Sequence, residues 1–153
     1  MELTKRIAVF PGSFDPFTIG HLSILERALP LFDEIIIAIG TNSAKKSFFS
    51  LEKRIKHISS LFVDSPNISI DTYTSLTIEY CKQKNAQYIL RGLRNTTDFQ
   101  FEKSIAQMNK DLFPEIETIF LVTPPEHGHV SSTIIRELLS YGTDVSAYIP
   151  GKI

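Results

Sequence analysis

Residues 11–21 of the chain read Pro11-Gly12-Ser13-Phe14-Asp15-Pro16-Phe17-Thr18-Ile19-Gly20-His21. An apolar run, Ile7–Phe10, precedes this stretch, and an amphipathic helical pattern follows it. Proline and glycine favour a tight irregular loop, which places His21 where the helix begins. The first N–H groups of a helix are unpaired and carry partial positive charge, so they bind anions such as phosphate. The stretch therefore predicts a strand, a phosphate-binding loop and a helix.

His21 has more than one reading. An isolated histidine more commonly caps a helix or fills a core position than contacts a ligand. The loop around His21 favours contact with the anion, because Gly20 lets a ligand approach the backbone closely.

The whole chain alternates between strand-like and helix-like segments. Continuous apolar runs are typical of strands that are covered on both faces, and the intervening amphipathic stripes predict helices. This alternation implies right-handed crossovers, so we expect one domain over residues 1–153, with a doubly wound, five-stranded parallel sheet. The predicted strands are Ile7–Phe10, Glu34–Ile39, Asn67–Asp71, Gln87–Leu90 and Ile116–Val122.

The helical stripes are interpreted as core-facing. Pro30 is expected to kink the first helix or end it early, Ser50 to cap the second, and Gly142 to close the last. The fourth helix is expected to stop before Pro114. Its stripe is made of Phe101, Ile105, Met108 and Leu112.

Composition excludes several classes of function. The net charge of −1 gives no bulk attraction to nucleic acid or to an anionic membrane, so any anion site has to be local. Cys81 is the only cysteine, which excludes an internal disulfide and a multi-cysteine zinc site. Apolar runs fall short of the ~20 residues of a membrane span, and we expect a cytoplasmic protein.

Sheets of this type bind ligands outside the carboxyl ends of their strands. Four of the loops at those ends carry cations, hydroxyls and small residues, which suit phosphate groups. These residues are Ser13 and His21, then Lys45 and Lys46, then Arg91 and Arg94, and last the segment from His127 to Thr133.

Each of these residues also has a structural explanation. A lysine pair in a loop is usually solvated surface. Arg91 ends a buried strand and needs a partner, but no acidic residue follows it before Asp98, so an anion-binding role and an internal pair are both open. The run of hydroxyls at residues 131–133 could be a helix cap, and His127 with His129 lacks a clear third metal ligand.

The motifs together resemble a known superfamily. Gly12–Pro16 with Thr18–His21 is similar to the (H/T)-x-G-H signature of the nucleotidylyltransferases, which implies a Rossmann-like fold. The segments Arg91–Arg94, Asp98–Phe99, Phe101–Glu102 and Ser131–Thr133 narrow the resemblance to the phosphopantetheine adenylyltransferase family, over essentially the whole chain.

This resemblance implies transfer of the adenylyl group of ATP to 4′-phosphopantetheine with Mg²⁺, which gives dephospho-coenzyme A and pyrophosphate. It also implies a homohexamer. The residues it marks as catalytic are Ser13, His21, Lys45 and Arg91, with Lys46 as the rival of Lys45. The acceptor site would be Ser13, Lys45, Thr77 and Arg91, with no residue assigned to a metal. The ATP site would be Ser13, Phe14, His21, Gly92, Leu93, Arg94, Glu102, His127, Gly128, His129, Val130, Ser131, Ser132 and Thr133.

Two parts of the chain depart from the family pattern. Ser13 replaces a common threonine, and His127–His129 stands where many relatives have aromatic residues.

Three rival functions remain. One is the same transfer to another acceptor, such as nicotinamide mononucleotide or a phosphorylated alcohol. The others are a non-catalytic nucleotide-binding module and a dinucleotide oxidoreductase. The last is disfavoured because no G-x-G-x-x-G follows the first strand.

Overall fold

A computed structural model describes residues 3–153 and contains a single five-stranded sheet within that range. The strands are β1 (Ile7–Gly12), β2 (Glu34–Gly40), β3 (Ile68–Tyr73), β4 (Tyr88–Leu93) and β5 (Glu117–Val122). The helices are α1 (Ile19–Ala28), α2 (Leu51–Leu61), α3 (Thr77–Gln83), α4 (Thr96–Leu112) and α5 (Ser132–Ser140).

The sheet confirms the predicted fold class. All four neighbouring pairs of strands are parallel, and the strand order is β3-β2-β1-β4-β5. The chain therefore builds outward from β1 in one direction and then restarts at β4 on the other side. The crevice between β1 and β4 is the point where such folds bind their ligands.

The apolar run of β2 shows why the sheet is covered on both faces. Successive side chains of a strand point to opposite sides, so Ile35, Ile37 and Ile39 join one core cluster. Ile36 and Ala38 join a second cluster on the other side. Helices therefore pack on both faces, as the continuous apolar run predicts.

Four strands extend further than expected, β2 and β3 by one and two residues, to Gly40 and Tyr73. β1 continues through Pro11 and Gly12, which are aligned with Ala38 and Ile39 of β2. β4 continues through residues 91–93, which pair with residues 120–122 of β5. Parallel pairing therefore overrides the loop signals there, and Arg91 lies within a strand.

The interpretation of the stripe on α4 as core is wrong. Phe101, Ile105, Met108 and Leu112 are 66%, 42%, 59% and 53% exposed, whereas Glu102 is 8% exposed. Neighbouring helical residues are ~100° apart, so burying Glu102 turns most of this stripe away from the sheet, although Ile105 still lines a cavity beside β4. Pro30 does end the first helix early, because α1 stops at Ala28 and a 3₁₀ turn follows it.

Candidate active site

Two cavities meet at the carboxyl ends of β1 and β4. The first has a volume of about 290 Å³ and the second about 280 Å³. Both are lined by Pro11, Gly12, Ser13, Arg91 and Glu102. The strand-order reversal therefore creates two adjacent compartments that share one wall.

The first cavity gathers most of the side chains expected at a nucleotide site. They come from the loop after β1, the start of α1, the end of β4, the buried face of α4 and the segment that opens α5. Those that line it are Ser13, Phe14, His21, Gly92, Arg94, Glu102, Val130, Ser131, Ser132 and Thr133. Arg91, which is expected at the acceptor site, lines this cavity as well.

His21 lies in the first turn of α1 and is held from two sides. The Thr18 backbone N–H donates to its Nδ1 at 3.0 Å, while the Thr18 hydroxyl accepts from the His21 backbone N–H at 3.4 Å. The rings of Phe14 and Phe17 pack against the imidazole, with centroids 5.0 and 5.3 Å away. Because Nδ1 is an acceptor, the neutral ring carries its hydrogen on Nε2.

The surroundings of His21 keep its ring neutral. Burial disfavours the imidazolium, and the nearby charges of Arg91 and Arg94 add to the effect, so the pKa of His21 is lowered to about 3. His21 therefore reaches the first cavity as a neutral hydrogen-bond donor over the whole physiological range.

This environment predicts that the His21 ring does not titrate between pH 8 and pH 5. In the folded chain its imidazole signals should stay constant over that range in an NMR titration with ¹⁵N-labelled histidine. An unfolded histidine takes up a proton near pH 6.5, so His21 contributes stability above that pH and loses it progressively as the pH falls toward 3. A His21 midpoint near pH 6.5 would contradict the buried, neutral ring.

Arg91 has the internal partner that the sequence left open. Its Nε and Nη2 donate to the two carboxylate oxygens of Glu102 at 3.0 and 2.5 Å. Its Nη1 donates to the Pro11 carbonyl at 2.6 Å, which ties β4 to the end of β1. Glu102 lies on α4, eleven residues further along, which is why proximity in sequence could not reveal the pair. The guanidinium still borders both cavities.

Arg94 is likewise paired. Its guanidinium donates to both carboxylate oxygens of Asp98 at 2.9 and 3.2 Å, and this contact lowers the pKa of Asp98. At the N-terminus of α5, which also lines the first cavity, Ser131 caps the helix by accepting from the Ile134 N–H. The Ser132 hydroxyl donates to the Pro16 carbonyl at 2.8 Å. The N-terminus of α5 is therefore fastened to the loop after β1, and its first residues line the same cavity as the two paired arginines.

The second cavity contains a surface that the sequence did not reveal. It is lined by Thr77, as expected, and by Tyr73, whose hydroxyl lies 2.7 Å from that of Thr77. It is also lined by Ala106 and Asn109, which follow Glu102 by four and seven residues on α4. The i, i+4, i+7 spacing from Glu102 is the signal that could have found them.

Several predicted site residues lie outside both cavities. Lys45 and Lys46 are exposed in the loop between β2 and α2. Leu93, at the end of β4, and the segment 127–129 before α5 are also outside the linings. The structure therefore brings together three of the four loops expected at the site.

Within residues 3–153, no three side chains of His, Cys, Asp or Glu are grouped so that they could hold a metal ion. The carboxylates at the site, Asp98 and Glu102, are both engaged by arginines. In the same range, no helix is long and apolar enough to cross a membrane.

Solved structures with a similar fold are nucleotide-handling enzymes. A bifunctional NMN adenylyltransferase/ADP ribose pyrophosphatase from Francisella tularensis superposes with a TM-score of 0.69 at 24% identity, over 95% of this chain and 45% of that one. A putative nicotinate-nucleotide adenylyltransferase from Vibrio parahaemolyticus gives 0.67 at 21% identity, over 97% and 95%. These likenesses establish the fold.

Sequence comparisons establish the family. The cytidylyltransferase-like family model matches residues 9–138. A phosphopantetheine adenylyltransferase from Leptospira biflexa is 55% identical over 149 residues, which is 97% of this chain and 93% of the relative. Another from Flavobacterium psychrophilum is 52% identical, over 97% of each. The chain therefore belongs to the cytidylyltransferase-like family and, within it, to the phosphopantetheine adenylyltransferases.

Proposed function

We propose that this chain transfers the adenylyl group of ATP to 4′-phosphopantetheine, releasing pyrophosphate and forming dephospho-coenzyme A in coenzyme A biosynthesis. The observation that carries the proposal is the pair of cavities joined at Ser13 and Arg91. Two substrates that react through their phosphates need two compartments with one cationic junction. Names of the relatives agree with this reaction.

The two cavities differ in the ligand they suit. The first has helix N–H groups at Ser131–Thr133, the Gly92 backbone and a neutral histidine, which suit a nucleoside triphosphate. The second combines Ile105 and Ala106 with the polar groups of Tyr73, Thr77 and Asn109. Such a mixture suits an amide-containing aliphatic arm, with its phosphate at Arg91.

The reaction we infer is one direct displacement. The acceptor phosphate is already an anion, so it needs no base to attack the α-phosphorus of ATP. A new bond forms between its oxygen and the α-phosphorus as the bond to the bridging oxygen of pyrophosphate breaks, and that oxygen keeps the electron pair. The protein has to align two phosphates and relieve their repulsion.

Each polar group then has a role. Arg91, held by Glu102, aims the acceptor phosphate toward Ser13. His21 donates from Nε2 to the α-phosphate as negative charge grows there, and the Ser13 hydroxyl faces both phosphates. Lys45, with Lys46 as its rival, would approach the acceptor from the loop outside the cavities.

Magnesium enters this proposal with the nucleotide. Mg²⁺ retains several waters and commonly binds substrate phosphates with few protein ligands, which fits a site whose carboxylates are occupied by arginines. Bound to ATP, the ion would neutralise charge on the phosphates.

We also propose that the chain works in the cytoplasm as a homohexamer, without nucleic acid or membrane as a partner. The exposed apolar stripe of α4 supports association of copies, because contiguous exposed apolar surface favours protein contacts. Sedimentation equilibrium would test the proposal, since it measures the mass of the assembly.

A substrate comparison separates this function from its rivals. The purified chain with ATP and Mg²⁺ should release pyrophosphate with 4′-phosphopantetheine and yield dephospho-coenzyme A. Turnover with nicotinamide mononucleotide instead would mean that the chain catalyses the same transfer to another acceptor. ATP binding without turnover on any acceptor would point to a non-catalytic module.

A further inference from the structure

The loop between β2 and α2, residues 41–50, carries two lysines that lie outside both cavities. At its start, the Thr41 backbone N–H donates to the Tyr73 carbonyl at 2.9 Å. Lys45 and Lys46 are exposed in the middle of the loop. Residues 42–47 are exposed, and the hydrogen bonds of this part stay within it, from the N–H groups of Ala44 and Lys45 to Asn42. The contacts at the other end of the loop therefore help to decide where the lysines lie.

The other end of this loop is anchored by a buried carboxylate. Asp15 is 5% exposed, and its Oδ2 and Oδ1 accept from the backbone N–H groups of Phe48 and Phe49 at 2.7 and 2.8 Å. A carboxylate is costly to bury unless hydrogen bonds satisfy it. Asp15 therefore joins the loop after β1 to the end of the lysine-bearing loop.

A buried guanidinium makes the same connection a second time. Arg54, in α2, is 6% exposed; its Nη1 donates to the Ser13 carbonyl at 2.7 Å and its Nε to the Phe49 carbonyl at 3.1 Å. The planar guanidinium can hold two acceptors at a fixed separation. Ser13, at the junction of the two cavities, is thereby coupled to the loop that carries the lysines.

We propose that Asp15 and Arg54 are positioning residues, which fix the lysine-bearing loop relative to Ser13 so that Lys45 or Lys46 meets the acceptor phosphate held by Arg91. Neither is among the residues that line the two described cavities, so their action is indirect. Small displacements of a positioning group can slow a reaction strongly. The inference rests on the proposed function, because it assumes an acceptor phosphate at Arg91.

Steady-state kinetics test the coupling. Asp15→Asn preserves the shape of the side chain but provides one acceptor oxygen for two N–H donors. We expect KM for 4′-phosphopantetheine to rise about tenfold and KM for ATP to change less than about twofold. In a Lys45→Ala/Lys46→Ala background, the same substitution should change the acceptor KM by less than about twofold. An equal effect in both backgrounds would show a merely structural role and overturn the proposal.

Tryptic cleavage tests the anchor without any substrate. Asp15→Asn and Arg54→Lys should each accelerate cleavage after Lys45 and Lys46 by about tenfold. Arg27→Lys is the matched control, because Arg27 also donates to a carbonyl, that of Val122, far from this loop. Unchanged cleavage in Arg54→Lys would overturn the proposal even if Asp15→Asn fails to fold. A wild-type chain that does not turn over 4′-phosphopantetheine would refute the proposed function. The rates of tryptic cleavage would still show whether the anchor exists.

Discussion

His21→Ala lowers kcat by about 10²–10³-fold and leaves the dissociation constant for ATP nearly unchanged. The expected loss lies in kcat because the Nε2–H of a neutral imidazole interacts most strongly with charge that develops on the α-phosphate in the transition state. The ring is held for this purpose by the Thr18 N–H, and its low pKa keeps it neutral. Pre-steady-state kinetics and equilibrium ATP titration measure the two effects separately.

The glutamine variant provides the control for this result. His21→Gln retains an N–H donor near the position of Nε2, so we expect it to recover part of the lost turnover. A His21→Ala variant with near-normal turnover would contradict the role of His21 in the transition state. A loss confined to ATP affinity would mean that His21 contributes to ATP binding in the ground state and not to the transition state.

Arg91→Ala has two large effects, one on the acceptor and one on the fold. The acceptor phosphate loses its guanidinium, so KM for 4′-phosphopantetheine should rise by about 10²-fold. Glu102 becomes a buried carboxylate without its partner, which should cost about 2–3 kcal/mol of unfolding free energy. This figure lies below the range for a fully buried pair because the Arg91 side chain is 33% exposed. Urea denaturation and initial-rate kinetics measure the two quantities.

A double variant separates the two effects of Arg91. Arg91→Met/Glu102→Leu replaces the ion pair with apolar groups of similar size, which should restore most of the stability. It should not restore acceptor binding, because the guanidinium is still missing. Recovery of acceptor KM together with stability would mean that Arg91 acts only through the fold.

The sheet and part of the site were predictable because their signals are local. Ile35–Ile39 is apolar at every position, as a strand covered on both faces requires, and β2 is such a strand. The rule that ligands bind at the carboxyl ends of strands then places Ser13, His21 and Arg91 together. The α/β class and the convergence of three loops follow from these residues.

Other parts depend on contacts that no local pattern contains. The apolar stripe of α4 predicts core, but the stripe through Glu102, Ala106 and Asn109 faces the sheet because Arg91 requires a carboxylate there. The register of β4 against β5 likewise carries Arg91 into a strand. Lys45 follows β2 as expected, but it lies exposed outside both cavities, and the position of its loop depends on the distant contacts of Asp15 with Phe48 and Phe49.

The stereochemical course at phosphorus tests the central claim that two phosphates react directly in one joined site. The chain would be given one diastereomer of ATP with sulfur on the α-phosphorus, and the configuration of the dephospho-coenzyme A product would be determined. A single in-line displacement predicts inversion. Retention would contradict the account, because it requires two displacements through a covalent enzyme intermediate.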